Sequence, residues 1–307
     1  MTRVLVTGAS GFVGRHAIEP LRKAGCDVHA VSRTPRQSLH GERWHTADLF
    51  EPASRRELLR SAAPERLLHL AWTVEHGRFW HDPANRGWLE MTSTFAEEFA
   101  DAGGQRLVAA GTCAEYDWSA LAGQSCQELT TPCRPHTLYG ETKHQLRLRL
   151  EAFAQRREVG FAWGRVFHLF GPGEHRERLV PAVALALLDE RPAATGPGTV
   201  TRDFMDVRDA GAAFVALLLS DVGGPVNIAS GAPTTIAGLA ETLADGVGRR
   251  DLLSVGSLPE RGGDPPVLYA DVNRLVREVL FHPTHPQGEA LQDALNWWRH
   301  QPATGGE

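Results

Sequence analysis

Along the first half of the chain, apolar positions switch between two periods. Short apolar runs read as strands: RVLVTG from position 3, DVHAVSR from 27, RWHTADL from 43, RLLHLAW from 66 and QRLVAAGT from 105. Between them, apolar residues recur three and four apart and predict helices over 12–24, 53–62 and 85–102. Strands and helices taking turns imply right-handed crossovers and a parallel sheet covered on both faces. The predicted class is therefore α/β, with a doubly wound parallel sheet.

A helix carrying YGETKHQLRLRLEAFAQR (139–156) follows, then a strand-like run GFAWGRVFHLFG (160–171). Beyond about 167 the pattern loosens into shorter elements: an apolar helix near 178–189, a turn entering a helix in TRDFMDVRDAGAAFVALLLS, and a terminal helix in GEALQDALNWWRHQ. The tail PATGGE should fray. This division predicts a dinucleotide-binding domain over 1–166 with a later contribution from about 203–224. A smaller mixed α/β substrate lobe is predicted from 167–202 and 225–307, closing over the carboxyl edge of the sheet.

Composition narrows the function. With 307 residues, 42% of them hydrophobic and 22% charged, the chain can bury a full core. A net charge of −5 offers no basic stripe for a nucleic-acid backbone, so no nucleic acid is expected as partner. The N-terminus opens on a strand pattern rather than a signal peptide, and no apolar run reaches membrane-spanning length, so a cytoplasmic protein is expected, with no membrane partner. Cys26, Cys113, Cys126 and Cys133 form no CxxC pair, and with the scattered histidines they predict reduced thiols and no metal site.

Two features carry chemistry. VTGASGFVG sets Gly8, Gly11 and Gly14 directly after the first strand, where glycines permit a tight turn, close approach of a pyrophosphate and close helix–strand packing. The helix that follows turns its N-terminal amides toward those phosphates. At the end of the second strand, where an acidic residue would bind the ribose hydroxyls of NAD, the chain has Ser32 and Arg33, with Asp27 too early. Arg33 suits a 2′-phosphate, so NADP(H) is expected ahead of NAD(H). Asp48 closes the third strand, placed either to reach the adenine edge or to cap the next helix.

The second feature is Tyr139 four positions before Lys143, on one face of a helix. The chain has only two lysines, and Lys23 is explained as a helix-end cation before Gly25. Lys143 has no such explanation, and an ammonium beside a phenol favours the phenolate. Thr112, at the end of a strand, offers a hydroxyl that both donates and accepts. The tryptophans of AWTVEHGRFWHDPANRGW read either as a substrate-lining loop or as a core cluster.

The glycine array, HLA at 69–71, Thr112, the Tyr139 and Lys143 pair and TRDFMDV at 201–207, in that order, make the chain resemble the extended short-chain dehydrogenase/reductase family, the nucleotide-sugar epimerases, dehydratases and ketoreductases. The resemblance implies a Rossmann domain with a sugar-nucleotide lobe. Tyr139 would be proton donor or acceptor, Lys143 would lower its pKa and hold the nicotinamide ribose, and Thr112 would bind the reacting oxygen. It adds Ser10, Phe12, Val13, Leu49, Leu70, Ala71, Val166 and His168 on the cofactor side; relatives often have Asn where His168 stands. On the substrate side it adds Thr73, Trp80, Cys113, Arg178, Leu179 and Val180, with Arg202 and Arg261 on the nucleotide diphosphate. It also implies a homodimer through the helix bearing Tyr139 and its neighbour at 85–102.

The 4,6-dehydratases of the family carry Asp-Glu directly after their Thr, where this chain has Cys113 and Ala114, which argues against dehydration. GDP-fucose synthases place a Cys two residues after the hydroxyl and a His after a later YGP, where this chain has Ala114 and Gly173. The expectation is an NADPH-dependent reductase of a nucleotide-linked 4-keto-6-deoxyhexose. The alternatives are a C4 epimerase with retained NAD, a carbonyl reductase acting on a non-sugar ketone, and an inactive dinucleotide-sensing protein.

Overall fold

A computed structural model describes residues 1–259 and 263–301. Arg261 and the tail from 302 lie outside the described residues. The chain alternates β1 (Arg3–Thr7), α1 (Gly14–Lys23), β2 (Asp27–Ser32), β3 (Arg43–Thr46), α2 (Pro52–Ala62), β4 (Arg66–His69), α3 (Ala84–Asp101), β5 (Arg106–Thr112), α4 (Leu138–Arg157) and β6 (Gly160–Val166). These strands and a later one, described below, pair only in parallel, which is the Rossmann-type sheet.

Alternation within single strands explains why both faces are covered. Val4 and Val6 point to a core built with Ala17, Ile18 and Leu21 of α1. Leu5 between them points to the opposite core, with Leu58 and Leu59 of α2, Phe95 and Phe99 of α3, and Leu146, Leu150 and Phe153 of α4. A strand buried on both faces has no polar side to spare, hence its continuous apolar run.

The remainder runs β7 (His168–Phe170), α5 (Leu179–Leu188), β8 (Ala193–Ala194), β9 (Thr201–Asp206), α6 (Val207–Leu219), β10 (Gly224–Ile228), β11 (Pro233–Thr235), α7 (Ile236–Val247), β12 (Leu253–Ser254), β13 (Val267–Leu268), α8 (Asn273–Arg277) and α9 (Gln287–Arg299). The seven-stranded order is β10-β6-β5-β4-β1-β2-β3, and it reverses between β1 and β4, where open α/β sheets take ligands at their carboxyl edge. α6 packs on the α1 side of this sheet through Ala210, Phe214 and Leu217.

The return segment differs from expectation at both ends. β9 belongs to a second, four-stranded sheet with β7, β11 and β13, and β10, expected in the lobe, is the seventh strand of the main sheet. GPVNI is short and begins at a glycine in the left-handed region, so its period was weak. α5, α7 and α9 close a separate core around Leu187, Leu243, Leu291 and Trp298. Among the described residues no helix is long and apolar enough to cross a membrane.

Candidate active site

The glycine turn sits at the carboxyl end of β1. Gly8 has φ +68°, and a Cβ there would lie 2.7 Å from the backbone of Leu70 and Ala71, so the turn and the β4 edge meet only because the side chain is absent. A Cβ on Gly14 would lie 2.1 Å from the Gly8 carbonyl oxygen. Ser10, Phe12 and Val13 are half-buried around this cradle, as are Leu70 and Ala71 facing it. Arg15 lies along the turn, its Nε donating to the Gly11 carbonyl at 3.1 Å and Nη2 to that of Ser10 at 3.1 Å. The residues present therefore fit a dinucleotide: a turn left-handed at Gly8, with no room for a side chain at Gly8 or Gly14, leads into the N-terminus of α1.

At the end of β2, the Ser32 hydroxyl is turned to the Thr34 carbonyl, while Arg33 is exposed and has no hydrogen bond or ion pair among the described residues. The Arg36 guanidinium lies 5.7 Å from the centre of the Trp44 ring. Asp48 is exposed and its Oδ1 accepts from the Phe50 amide at 2.9 Å, a turn bond ahead of α2, with Leu49 buried beside it. Val166 is the last residue of β6 and half-buried.

The candidate reacting groups come together from two elements, β5 and α4. Thr112 ends β5, and its Oγ1 accepts from the Ala114 amide at 3.2 Å while Glu115 Oε1 accepts from the Thr112 amide at 2.9 Å. This reciprocal capping box fixes the threonine. Thr137 caps α4 by accepting from the Gly140 amide at 3.1 Å, which sets Tyr139 in the first turn and Lys143 one turn on. Tyr139 is buried, with the Thr112 side chain close enough to favour its phenolate. Lys143 Nζ donates to the Ala110 carbonyl at 2.8 Å.

Electrostatics here are ruled by burial. It pushes the Tyr139 phenol above its usual range, opposed by the Thr112 hydrogen bond and the positive charge of Arg178. Lys143, expected to lower that phenol, has its Nζ 5.9 Å from the ring centre with the ammonium turned to the Ala110 carbonyl. Its own pKa is pulled down to about 7 by burial, against the attraction of Glu115. Cys113 is buried and pushed up to about 12, an inert thiol under the site rather than a base.

The substrate side gathers cations. His168 stands in β7 against Phe204, its pKa lowered to about 3 by burial and by Arg202 and Arg178, and its Nδ1 is buried without a hydrogen-bond partner. The sequence reading grouped it with the cofactor; its charged neighbours here are on the substrate side. Arg178 caps α5, beside half-buried Leu179 and buried Val180. Arg202 is 5% exposed, anchored to the carbonyls of Thr201 at 2.9 Å and Pro265 at 2.8 Å. Glu174, buried near Arg178, is pushed up to about 8 by burial.

The tryptophan loop proves to be neither of the two alternatives alone. Trp80 packs edge-on against Tyr139 with ring centres 5.9 Å apart, and Phe79 does so at 5.0 Å. Thr73 is exposed and accepts from Trp88 Nε1 at 3.1 Å. His76 of this loop stacks on His175 at 5.4 Å, joining the two segments that flank the site.

Sequence reasoning missed Glu115 and Arg165, a buried ion pair at 3.0 Å directly beneath Thr112, 0% and 1% exposed. The T-x-x-E spacing of Thr112 and Glu115 was a signal for the first of these. None of the four cysteines is in a disulfide, and no cluster of three or more His, Cys, Asp or Glu suited to a metal occurs among the described residues.

Residues 4–229 match the model of the NAD dependent epimerase/dehydratase family. Among curated proteins, the chain is 25% identical over 238 residues to dTDP-6-deoxy-L-talose 4-dehydrogenase (NAD(+)) of Aggregatibacter actinomycetemcomitans, covering 76% of this chain and 86% of that protein. It is 24% identical to dTDP-4-dehydro-6-deoxy-D-allose reductase of Streptomyces bikiniensis, covering 97% and 96%. Among solved structures, UDP-glucose 4-epimerase of Thermus thermophilus, in complex with NAD, superposes with a TM-score of 0.86 at 22% identity over 97% and 99% of the two chains. The chain is thus a member of the NAD dependent epimerase/dehydratase family.

Proposed function

We propose that the protein reduces the C4 ketone of a nucleotide-linked 4-keto-6-deoxyhexose with NADPH. The observation that carries this reading is the burial of Thr112, Tyr139 and Lys143 together at the carboxyl edge of the sheet, with the Thr112 side chain favouring the Tyr139 phenolate. Two relatives support the position of the chemistry, since a dTDP-6-deoxy-L-talose 4-dehydrogenase and a dTDP-4-dehydro-6-deoxy-D-allose reductase both act at carbon 4 of a dTDP-linked 6-deoxyhexose. Cys113 and Ala114 supply no acid–base pair for loss of water, which favours simple reduction.

NADPH, when bound, supplies the hydride that adds to the carbonyl carbon. The chain's part is positioning and the proton. Thr112 and Tyr139 receive the carbonyl oxygen between their hydroxyls, and as its charge grows the Tyr139 O–H transfers its proton to it. The phenolate left behind faces the Thr112 hydroxyl and the positive charge of Arg178, the two influences that oppose its burial. Gly8, Gly11 and Gly14 would hold the pyrophosphate, and Arg33 would offer a donor to a 2′-phosphate. Arg178 and Arg202 would offer charged donors to the substrate's diphosphate.

The test is spectrophotometric. With a nucleotide-linked 4-keto-6-deoxy sugar made freshly by a 4,6-dehydratase, the protein should consume NADPH faster than NADH. Tyr139→Phe should lower the rate by about 10² to 10⁴-fold with the fold intact. Interconversion of C4 epimers on retained NAD, with no cofactor consumed, would replace this reading with the epimerase.

A further inference from the structure

We propose that Trp72 is a positioning residue for Lys143, its indole face holding the ammonium charged and in place beside Tyr139. The proposal rests on the reading of Tyr139 and Lys143 as the acid–base pair. Lys143 Nζ lies 3.8 Å from the centre of the Trp72 ring, against 5.9 Å for both Tyr139 and Trp163. Lys143 is 3% exposed. An ammonium has three N–H donors, and only one hydrogen bond, to Ala110, is found for it among the described residues. A desolvated cation with one hydrogen bond gives up its proton unless something else favours the charge, and an aromatic face does so without competing for that proton.

Trp72 is built to stay where it is. Its Nε1 donates to Asn85 Oδ1 at 2.7 Å, and the ring stacks on Trp88 with centres 5.7 Å apart. Asn85, 2% exposed, turns its amide nitrogen to the carbonyls of Phe79 at 2.7 Å and Asp82 at 2.9 Å. One side-chain amide therefore locks both the indole under Lys143 and the loop whose Phe79 and Trp80 cover Tyr139. The other ionisable groups around the ammonium are few. Glu115 at the end of β5 attracts it. His69 at the end of β4 is held neutral by burial, its pKa lowered to about 3. Tyr139 and His144 share its helix. A Trp that merely filled the gap between α3 and α4 would leave the titration of Lys143 where it is.

The chain makes the test direct, because it has only two lysines and Lys23 is exposed. Protein labelled with ¹³C at the lysine ε-carbon gives two signals, told apart by Lys23→Arg, and each is followed against pH. Trp72→Leu should lower the titration of Lys143 by about one pKa unit, a ten-fold loss in the charged-to-neutral ratio, and Trp72→Phe by less. Two variants that keep the wild-type circular dichroism and leave that titration unmoved, or raise it, overturn the proposal. If Trp72→Leu does not fold, fluorotryptophan decides: it should lower the titration in the wild-type chain but hardly at all in Trp72→Phe, and an equal response in both overturns the proposal. Tyr139→Phe separates the two readings. It should lower turnover by about 10² to 10⁴-fold while leaving the lysine signal dependent on Trp72; turnover near the wild-type rate sinks the acid–base reading alone.

Discussion

At the scale of single residues, the cleanest prediction concerns Arg33. It projects from the end of β2 with no partner among the described residues, where a dinucleotide-binding chain selective for NAD places a carboxylate. Arg33→Asp both removes a donor for a 2′-phosphate and repels it. We expect the ratio of kcat/KM for NADPH over NADH to fall by about 10 to 100-fold, the size of one charge-assisted contact. An unchanged ratio would shift the preference to Arg36 or Arg15. The same scale shows what a sequence can reveal. Tyr139 and Lys143 were legible because i,i+4 spacing and the scarcity of lysine speak within one helix. Trp72 was visible only as one of several tryptophans, because its partner lies on another element, 71 positions later. No local period records that contact.

At the scale of elements, the end of β5 is held by a buried polar network rather than by apolar packing. Glu115 accepts from the Thr112 amide, from Trp163 Nε1 at 2.8 Å and from Arg165 Nε at 3.0 Å. Arg165 reaches on to the Glu128 carbonyl at 3.2 Å, and Glu128 Oε1 accepts from the Asn227 amide at 3.0 Å, tying β5 and β6 to β10. Arg165→Met leaves a carboxylate buried without its cation and should destabilise the protein by about 3 to 5 kcal/mol in urea unfolding. Adding Glu115→Gln should recover a large part of that loss, since the uncompensated charge is then gone. If the double variant is as unstable as the single, packing and not charge governs the junction. Most elements were legible from their periods, β1 and β5 above all, because a strand buried on both faces is a nearly continuous apolar run. β10 was not. Its place as seventh strand is set by pairing with β6, far away in sequence, and its five residues carry too little pattern to announce it.

For the molecule as a whole, the site imposes a pH dependence on stability through two buried groups with opposite slopes. Lys143 has its pKa lowered from 10.5 to about 7, so between those values the unfolded chain binds more protons and stability rises with pH; its penalty is complete below pH 7. Glu174, in the segment joining β7 to α5, has its pKa raised from 4.5 to about 8. Between these values the folded chain binds more protons, so stability falls as pH rises and the penalty is complete above pH 8. The two penalties overlap most between pH 7 and 8, where each amounts to something on the order of 2 kcal/mol once discounted for relaxation of the buried groups. Urea midpoints measured from pH 5 to 10 should therefore show Glu174→Gln gaining on the wild type as pH rises toward 8, and Lys143→Met gaining most at low pH and losing its advantage toward pH 10. The double variant should exceed the wild type most between pH 7 and 8. A difference profile flat with pH would mean that neither group is held away from its ordinary protonation by the fold. The expected profile would show the opposite: burial of the Lys143 ammonium and the Glu174 carboxyl lowers stability near neutral pH, where both would otherwise be charged in water.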